Sequence, residues 1–371
     1  MERTIQEIVL GYNAAAPLEE ARTIPAEWYV DPRVAALEAR TVFSHNWIAV
    51  GRTDQVAPAG GYLTAEVAGE PVVIVRGADG LLRGFYNVCR HHAAAVMMEP
   101  CGVAQQLRCP YHGWTYGLDG ALKGAPDFEG VRDFDRTRNG LAPLAAEIWE
   151  NFVFVNLAPR PDPLGEFLGG LRRVVKPLEL GRLRFFERRE YTLNCNWKVF
   201  VDNYLDGGYH VPYLHKSLAS VVSYKDYTIR SEDRYCEQSS PLDPGAATDA
   251  ATGATRRGSR TFYLWQYPNF MLNWYEGVMD TNLVFPLGVD RCRVVFDFYF
   301  RDVEGPAAER NRQSIQVSDR IQGEDVGICE AVQRGLHSRA YGTGRLSVRR
   351  EGGMHLFHRL LAADLKRGLE E

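Results

Sequence analysis

The stretch CRHHAAAVMMEPCGVAQQLRCPYHGW, Cys89 to Trp114, sets two cysteines and two histidines in a particular order. Cys89-x-His91 is followed by a gap of seventeen residues and then Cys109-x-x-His112. Cys101 and His92 lie in the same stretch outside that pattern. Thiolates and imidazoles are soft and borderline metal ligands, so two such pairs suit zinc or an iron–sulfur cluster. Structural zinc sites usually open with two closely spaced cysteines. Here each pair mixes one cysteine with one histidine, and the two spacings differ.

A 2Fe–2S cluster of the Rieske kind needs that asymmetry, with two thiolates on one iron and two imidazoles on the other. Neutral imidazoles remove negative charge and raise the potential above that of a four-cysteine ferredoxin. On spacing alone the cluster is favoured, and zinc stays open. The rest of the composition is compatible with either. The chain has 371 residues, 45% hydrophobic and 24% charged, which is globular and long enough for two domains. A formal charge of -4 gives no reason to expect nucleic acid or an anionic membrane as partner. No apolar run reaches about eighteen residues, so no transmembrane helix is expected. The beginning, MERTIQEIVLGYNAAAPLEE, has early acids and no apolar core of a secretory signal. Seven cysteines, few and odd in number, fit a reducing cytoplasm, where Cys and His act as metal ligands.

Outward from this stretch, short β-rich runs (YLTAEVAG, PVVIVRG, LLRGFYNV, WTYGLDG, NFVFVNL) alternate with turns such as GADG and GLDG. They predict a small antiparallel domain with both Cys/His pairs on its loops. Before it, DPRVAALEARTVFSHNW has helical spacing, with Asp31 and Pro32 as its start. After it, LGEFLGGLRRVVKPLEL reads as helical, and a strand passes into a helix near Trp197. Ser239 to Ser259 reads as a loop, followed by four aromatic-rich strands and a helical end from Gly305. Domains are therefore expected at 1–42 (an N-terminal arm packing on the last domain), 43–158 and 159–371. The Arg-rich stretch Leu171 to Arg189 is diluted by Glu179 and Glu187 and reads as a solvated face, with docking of an acidic electron donor as the alternative.

A second constellation lies in NWKVFVDNYLDGGYHVPYLH, Asn196 to His215. His210 and His215 are five positions apart, a poor same-face spacing on a straight helix. Pro212 between them is expected to break the helix so that the second histidine swings back to meet the first. Two imidazoles and one carboxylate form the facial triad of non-haem Fe(II) oxygenases, which leaves coordination positions open.

Cys89-Arg-His91 and CPYHGWTY, with Cys109, His112 and Trp114, resemble the Rieske motif of the non-haem iron oxygenases. The resemblance implies an α+β fold: an antiparallel β Rieske domain, then a helix-grip-like catalytic domain whose central antiparallel sheet is flanked by helices. It implies that Cys89, His91, Cys109 and His112 hold the 2Fe–2S cluster. His92 is then an ordinary polar residue, and Tyr111 and Trp114 pack around the cluster. With Cys101 the one spare cysteine between the pairs, the disulfide brace of some respiratory Rieske proteins cannot form within this domain. The resemblance also implies that His210 and His215 bind a mononuclear Fe(II) with a carboxylate from a late helix. QGEDVGICEAVQRGL offers Glu324, Asp325 and Glu330; Asp325 is chosen by the family pattern, and Glu324 stays open beside it. Family members place an acid before the first histidine, bridging to the cluster ligand of the next subunit. Here Asp206 stands one position further from His210 than usual, while Asn203 keeps its distance; Asp206 and Asn203 make the candidate catalytic set, with Asp202 the alternative bridge. Electrons would come from NAD(P)H through a separate flavin and iron–sulfur reductase, and the subunits would form a homotrimer. No dinucleotide-binding glycine fingerprint is present in this chain.

VDNYLDGGYHVPYLH, NFMLNWYEGVMDTNLVFPLG and CRVVFDFYF are similar to the choline monooxygenase branch, close to the glycine betaine and carnitine oxygenases. The implied reaction is hydroxylation of a C–H bond of a small quaternary or methylated amine by O2, giving oxidation or N-demethylation. A quaternary ammonium donates no hydrogen bond and is held by aromatic faces. Tyr263, Trp274, Tyr275 and Phe285 are the candidate cage, with Glu276 and Asp280 nearby. Strand aromatics are also ordinary core, and alternation lets at most half of them face one pocket. An aromatic-ring hydroxylase or O-demethylase is the rival enzyme, and a Rieske electron carrier the rival of another class.

Overall fold

Strand Glu70–Arg76 runs apolar through its middle, Val72 to Val75, and these four residues are buried because neighbours cover both faces. In a computed structural model, described here for residues 3–215, 223–242 and 258–370, that strand is central to a seven-stranded antiparallel sheet. The sheet's order is Ile48–Arg52, Phe152–Asn156, Pro143–Trp149, Leu82–Tyr86, Glu70–Arg76, Gly61–Val67 and Cys101–Val103. A three-stranded sheet of Leu107–Arg108, Thr115–Tyr116 and Leu122–Gly124 accompanies it. Trp114, Tyr116, Phe85, Val73 and Val75 pack in one core with Cys89 and Cys109. These strands belong to a compact unit of residues 43–166.

The other unit comprises residues 1–42 and 167–371. Its seven-stranded sheet is in order Arg184–Leu193, Arg291–Phe300, Val278–Gly288, Phe270–Tyr275, Arg260–Gln266, Tyr235–Pro241 and Thr228–Glu232; the last six strands in the chain form a meander, and the first pairs with the final one. The expected loop from Ser239 begins as the end of a strand, and residues 243–257 lie outside the described ones. Helices Trp197–Tyr204, Pro306–Leu336 and Gly352–Glu370 accompany the sheet. The early helix Pro32–Glu38 starts where Asp31 caps the N–H of Arg33, with Pro32 in the first turn. It ends at Glu38, whose carboxylate is buried against Lys198 Nζ at 2.6 Å and Trp197 Nε1 at 2.8 Å. That fully paired buried charge fixes the start of the helix that leads into the second constellation. In the Arg-rich stretch Arg188 forks onto Asp297 of the neighbouring strand with two 2.7 Å bonds, and Arg189 meets Glu187 at 2.6 Å.

Candidate active site

The two Cys/His loops have one backbone design. The N–H of Cys89 donates to Ala94 O and that of Ala93 to Cys89 O; the N–H of Cys109 donates to Trp114 O and that of Gly113 to Cys109 O. Ala93 and Gly113 both take positive φ at the tip of the turn. Each loop thus folds back on its cysteine and throws its histidine to the same side, and the His91 and His112 rings come within 4.8 Å, centroid to centroid. Both thiols are buried. Burial pushes the Cys109 thiol up, so a thiolate there calls for a cation beside it. The Tyr116 hydroxyl accepts from the Arg90 N–H at 3.0 Å and lies 3.3 Å from Cys89 Sγ. Partial burial, then His92 and His112, hold His91 below the ordinary histidine value, and its Nδ1 is buried with no hydrogen-bond partner. A neutral imidazole with an unused ring nitrogen beside two buried thiols is the donor set that a 2Fe–2S cluster with mixed ligands takes. Trp114 stacks on His91 at 4.9 Å and is buried. Tyr111 packs over His112, its ring centroid 3.8 Å from that of the histidine, and at the loop tip it is 64% exposed.

The second constellation is built from a turn and a helix end. Helix Trp197–Tyr204 is capped by Asn196 and carries Asp202 and Asn203. It is terminated by Gly207 and Gly208, both with φ near +68°. A Cβ on Gly207 would stand 2.2 Å from Arg350 O, so the tight turn requires glycine there. Pro212 does not break a helix. It sits in the first turn of a short one, Val211–Leu214, with His210 at its N-cap and His215 at its C-cap. Proline is tolerated there because the first-turn N–H has no helical partner to lose. The two histidines at the ends of that single turn have ring centroids 4.9 Å apart.

Asp325 meets them from helix Pro306–Leu336, its Oδ1 3.1 Å from His215 Nε2 and 3.9 Å from His210 Nε2. Ligand atoms of His210, His215 and Asp325 all lie within 4.8 Å of one another. The neighbouring acids take other places. Glu324 Oε2 sits 2.6 Å from His215 Nδ1, behind the ring, and is 44% exposed. Glu330 accepts from Asn194. Asp206 Oδ2 sits 2.6 Å from His210 Nδ1 and also accepts the His210 N–H. Asp202 instead accepts from the Tyr29 hydroxyl at 2.5 Å and lies 2.9 Å from His358 Nε2. Asn203 donates to Asp325 Oδ1 at 2.9 Å. So each histidine has a carboxylate on Nδ1, which directs Nε2 toward Asp325. Burial pushes His215 down, but Asp325 and Glu324 outweigh it and hold its pKa above the ordinary value, the mark of a pocket that favours positive charge.

A cavity of about 170 Å³ opens beside this triad. Sheet register decides its walls. Tyr263, Asn273, Asp280 and Phe298 are cross-strand partners in one row over four strands, and all four line it. Tyr275 lines it too, two residues from Asn273 on the same face. Trp274 and Phe285 do not line it. Trp274 falls on the opposite face, against Phe262, and Phe285 lies under the Arg293 guanidinium; both have the wrong parity for the row. Glu276 lines a separate hollow at the strand turn. The sequence reading missed Tyr227 and the Phe296, Phe298, Phe300 row, although alternation in CRVVFDFYF was its signal.

Comparison with known proteins supplies independent findings. Residues 180–366 match the ring hydroxylating alpha subunit (catalytic domain) family, and residues 46–135 the Rieske [2Fe-2S] domain. The chloroplastic choline monooxygenase of Arabidopsis thaliana is 39% identical over 373 residues, covering 98% of this chain and 87% of that one. The carnitine monooxygenase oxygenase subunit of Escherichia coli K12 is 31% identical over 376 residues, covering 99% of this chain and 100% of that one. A solved structure of a quaternary ammonium Rieske monooxygenase superposes with a TM-score of 0.86 at 28% identity, covering 98% of this chain and 99% of that one.

Proposed function

The chain belongs to the ring-hydroxylating alpha subunits of the Rieske non-haem iron oxygenases, and from that premise we propose that it hydroxylates a C–H bond of a small quaternary or methylated amine. The family works on small molecules with O2, a Rieske cluster, a mononuclear iron and electrons from a separate reductase. The residues fit both metal groups: Cys89, Cys109, His91 and His112 would hold the cluster, and His210, His215 and Asp325 the iron. When bound, the cluster supplies single electrons and the iron supplies oxygen activation. The balanced reaction is R–H plus O2, two electrons and two protons, giving R–OH and water. On a carbinol carbon the product is an aldehyde hydrate; on an N-methyl group it collapses to formaldehyde and the demethylated amine.

The chain's own residues position these groups. Asp206 and Glu324 hold the two imidazoles by Nδ1, and Asn203 holds the Asp325 carboxylate. His215 is buried, so water is kept from that side of the site. In this reading Asp206 is also the acid that reaches the cluster histidine of a neighbouring subunit in a homotrimer. Support for it is that Asp202 is occupied by Tyr29 and His358, and that the similar solved structure concerns inter-subunit electron transfer. Among the described residues no helix is long and apolar enough to cross a membrane, and the few cysteines agree with a reducing, cytoplasmic setting.

The observation that carries the amine reading is the cavity wall, which is lined by tyrosine and phenylalanine side chains together with the Asp280 carboxylate. A neutral aromatic ring has no use for that charge. The test is a single turnover. Purified enzyme with both metals is reduced, freed of reductant and mixed with O2 and a panel of choline, carnitine, γ-butyrobetaine and aromatic acids. A quaternary amine is expected to accelerate oxidation of the reduced cluster and to give close to one oxygenated product per active site. Turnover of aromatic compounds alone would overturn the reading.

A further inference from the structure

We propose that Cys195 and Cys292 form a reversible disulfide under hydrogen peroxide, and that this modification lowers turnover. Their sulfurs lie 3.9 Å apart inside the unit that carries the iron triad. All seven cysteines of the chain are free thiols, and Cys195, Cys292 and Cys329 are each fully buried. These three stand where four elements meet. Cys195 lies in the short link between strand Arg184–Leu193 and helix Trp197–Tyr204, Cys292 in strand Arg291–Phe300, and Cys329 in helix Pro306–Leu336. The link is clamped on both sides of Cys195. The N–H and Nδ2 of Asn194 donate to Glu330 Oε1 at 3.0 and 2.9 Å, and the N–H of Asn196 donates to Gln333 Oε1 at 3.0 Å. Asn196 Nδ2 also donates to Val289 O at 2.7 Å, just before the strand of Cys292. Bonded sulfurs are about 2 Å apart, so side-chain rotation has to bring this pair nearer by roughly the same amount.

The thiols share a layer with the candidate active site. Cys329 follows Asp325 by four residues, about 6 Å along the axis and on the same side of the helix. Cys292 faces the same side of its strand as Phe296 and Phe298, which line the cavity. Cys195 precedes the helix whose Asn203 holds the Asp325 carboxylate. Buried structural thiols are otherwise inert. Here the oxidant has a source close by: O2 that takes two electrons and two protons without oxygenating a substrate leaves as hydrogen peroxide, which is small and uncharged. The Cys195 thiol and one peroxide give a sulfenic acid and water; the Cys292 thiol then closes the S–S bond and releases a second water. Two thiols lose two electrons and two protons, and the peroxide gains them. Cys195 reacts first because Cys292 and Cys329 both donate to it, which holds its pKa below the ordinary thiol value although burial opposes. Closing the bond moves the link that grips Glu330 and Gln333 on the helix of Asp325. A displacement of about 1 Å at a reacting centre costs up to about 100-fold in rate.

The experiment treats the holoenzyme with hydrogen peroxide in the absence of substrate. Free thiols are alkylated after unfolding, peptides are mapped by mass spectrometry without reduction, and turnover is followed with the compound that the single-turnover panel identifies. Wild-type enzyme is expected to yield a linked peptide pair holding Cys195 and Cys292 and to lose at least about tenfold in turnover. Dithiothreitol is expected to remove the link and restore turnover, with iron content unchanged throughout. Cys292→Ala is expected to give no such link and to keep its turnover through the same treatment. Cys195 and Cys292 that remain alkylatable after turnover has fallen overturn the proposal. So does a link that leaves turnover unchanged, an equal loss in Cys292→Ala, or a pair that joins Cys195 to Cys329 instead. If Cys292→Ala does not fold, Cys195→Ala and the wild-type map with its recovery still decide. The peptide map is independent of which substrate the cavity takes, so its outcome stands apart from that of the amine reading.

Discussion

The two proposed metal sites are assembled in opposite ways. All four cluster donors lie between Cys89 and His112, on two loops that repeat the same pair of backbone hydrogen bonds around each cysteine. The iron donors come from a one-turn helix and from a long helix more than a hundred residues later, and each histidine has its own separately supplied carboxylate. A local site inherits its geometry from turn chemistry, so its donors are found by spacing. A distributed site depends on how distant elements pack, so its donors are found by spacing only where they are close in the chain. The same contrast separates what each site tolerates: the loops depend on two cysteines and two backbone turns, the triad on buried polar contacts in several elements.

The largest effect that tests this contrast is Asp325→Ala. It is expected to lower turnover by more than about 100-fold, beyond the range typical of outer-shell residues, with the cluster's visible absorption unchanged. Loss of that absorption as well would mean the two sites are not independent. Next is Glu38→Ala, which leaves Lys198 buried and unpaired. It is expected to destabilise residues 1–42 and 167–371 by about 3–5 kcal/mol, read as earlier thermal loss of that unit's tryptophan signal. An unchanged transition would show that this ion pair does not anchor the helix toward His210. Asp206→Asn is expected to cut turnover by about 10–100-fold with both metals retained by analysis. Asp202→Asn should leave turnover closer to wild type, and the reverse order would transfer the bridging role to Asp202. The smallest is Glu324→Gln, where a half-exposed partner of His215 is replaced by a neutral one: about tenfold or less, with iron content maintained. An effect as large as that of Asp325→Ala would make Glu324 a ligand.

Much of this was legible before any coordinates. The antiparallel domain around Cys89–Trp114 followed from alternation and turns, and Asp31-Pro32 marked a real helix start. The meander in the second half was visible as aromatic-rich strands. What failed did so for local reasons. Pro212 was read as a helix breaker because proline inside a helix is one, but the preceding Gly207-Gly208 turn had already ended the helix and left proline a first-turn position. Trp274 and Phe285 were read as cage members because aromatic content says nothing about parity. A shift by one residue moves a strand side chain to the other face, and only pairing with the neighbouring strands fixes which face is the cavity. Tyr111 packs on His112 as the resemblance implied, yet its place at a turn tip leaves it largely exposed.

The sequence alone determined the donor types, their spacing in the loops and the periodicities that make two antiparallel units, because these depend on residues close in the chain. Tertiary structure alone decided which of Glu324 and Asp325 lies between the two histidines, which of Asp202 and Asp206 sits behind His210, and which aromatics line the cavity. Those choices depend on rotation of a helix and register of a sheet, and one residue of difference in either carries a side chain to another side.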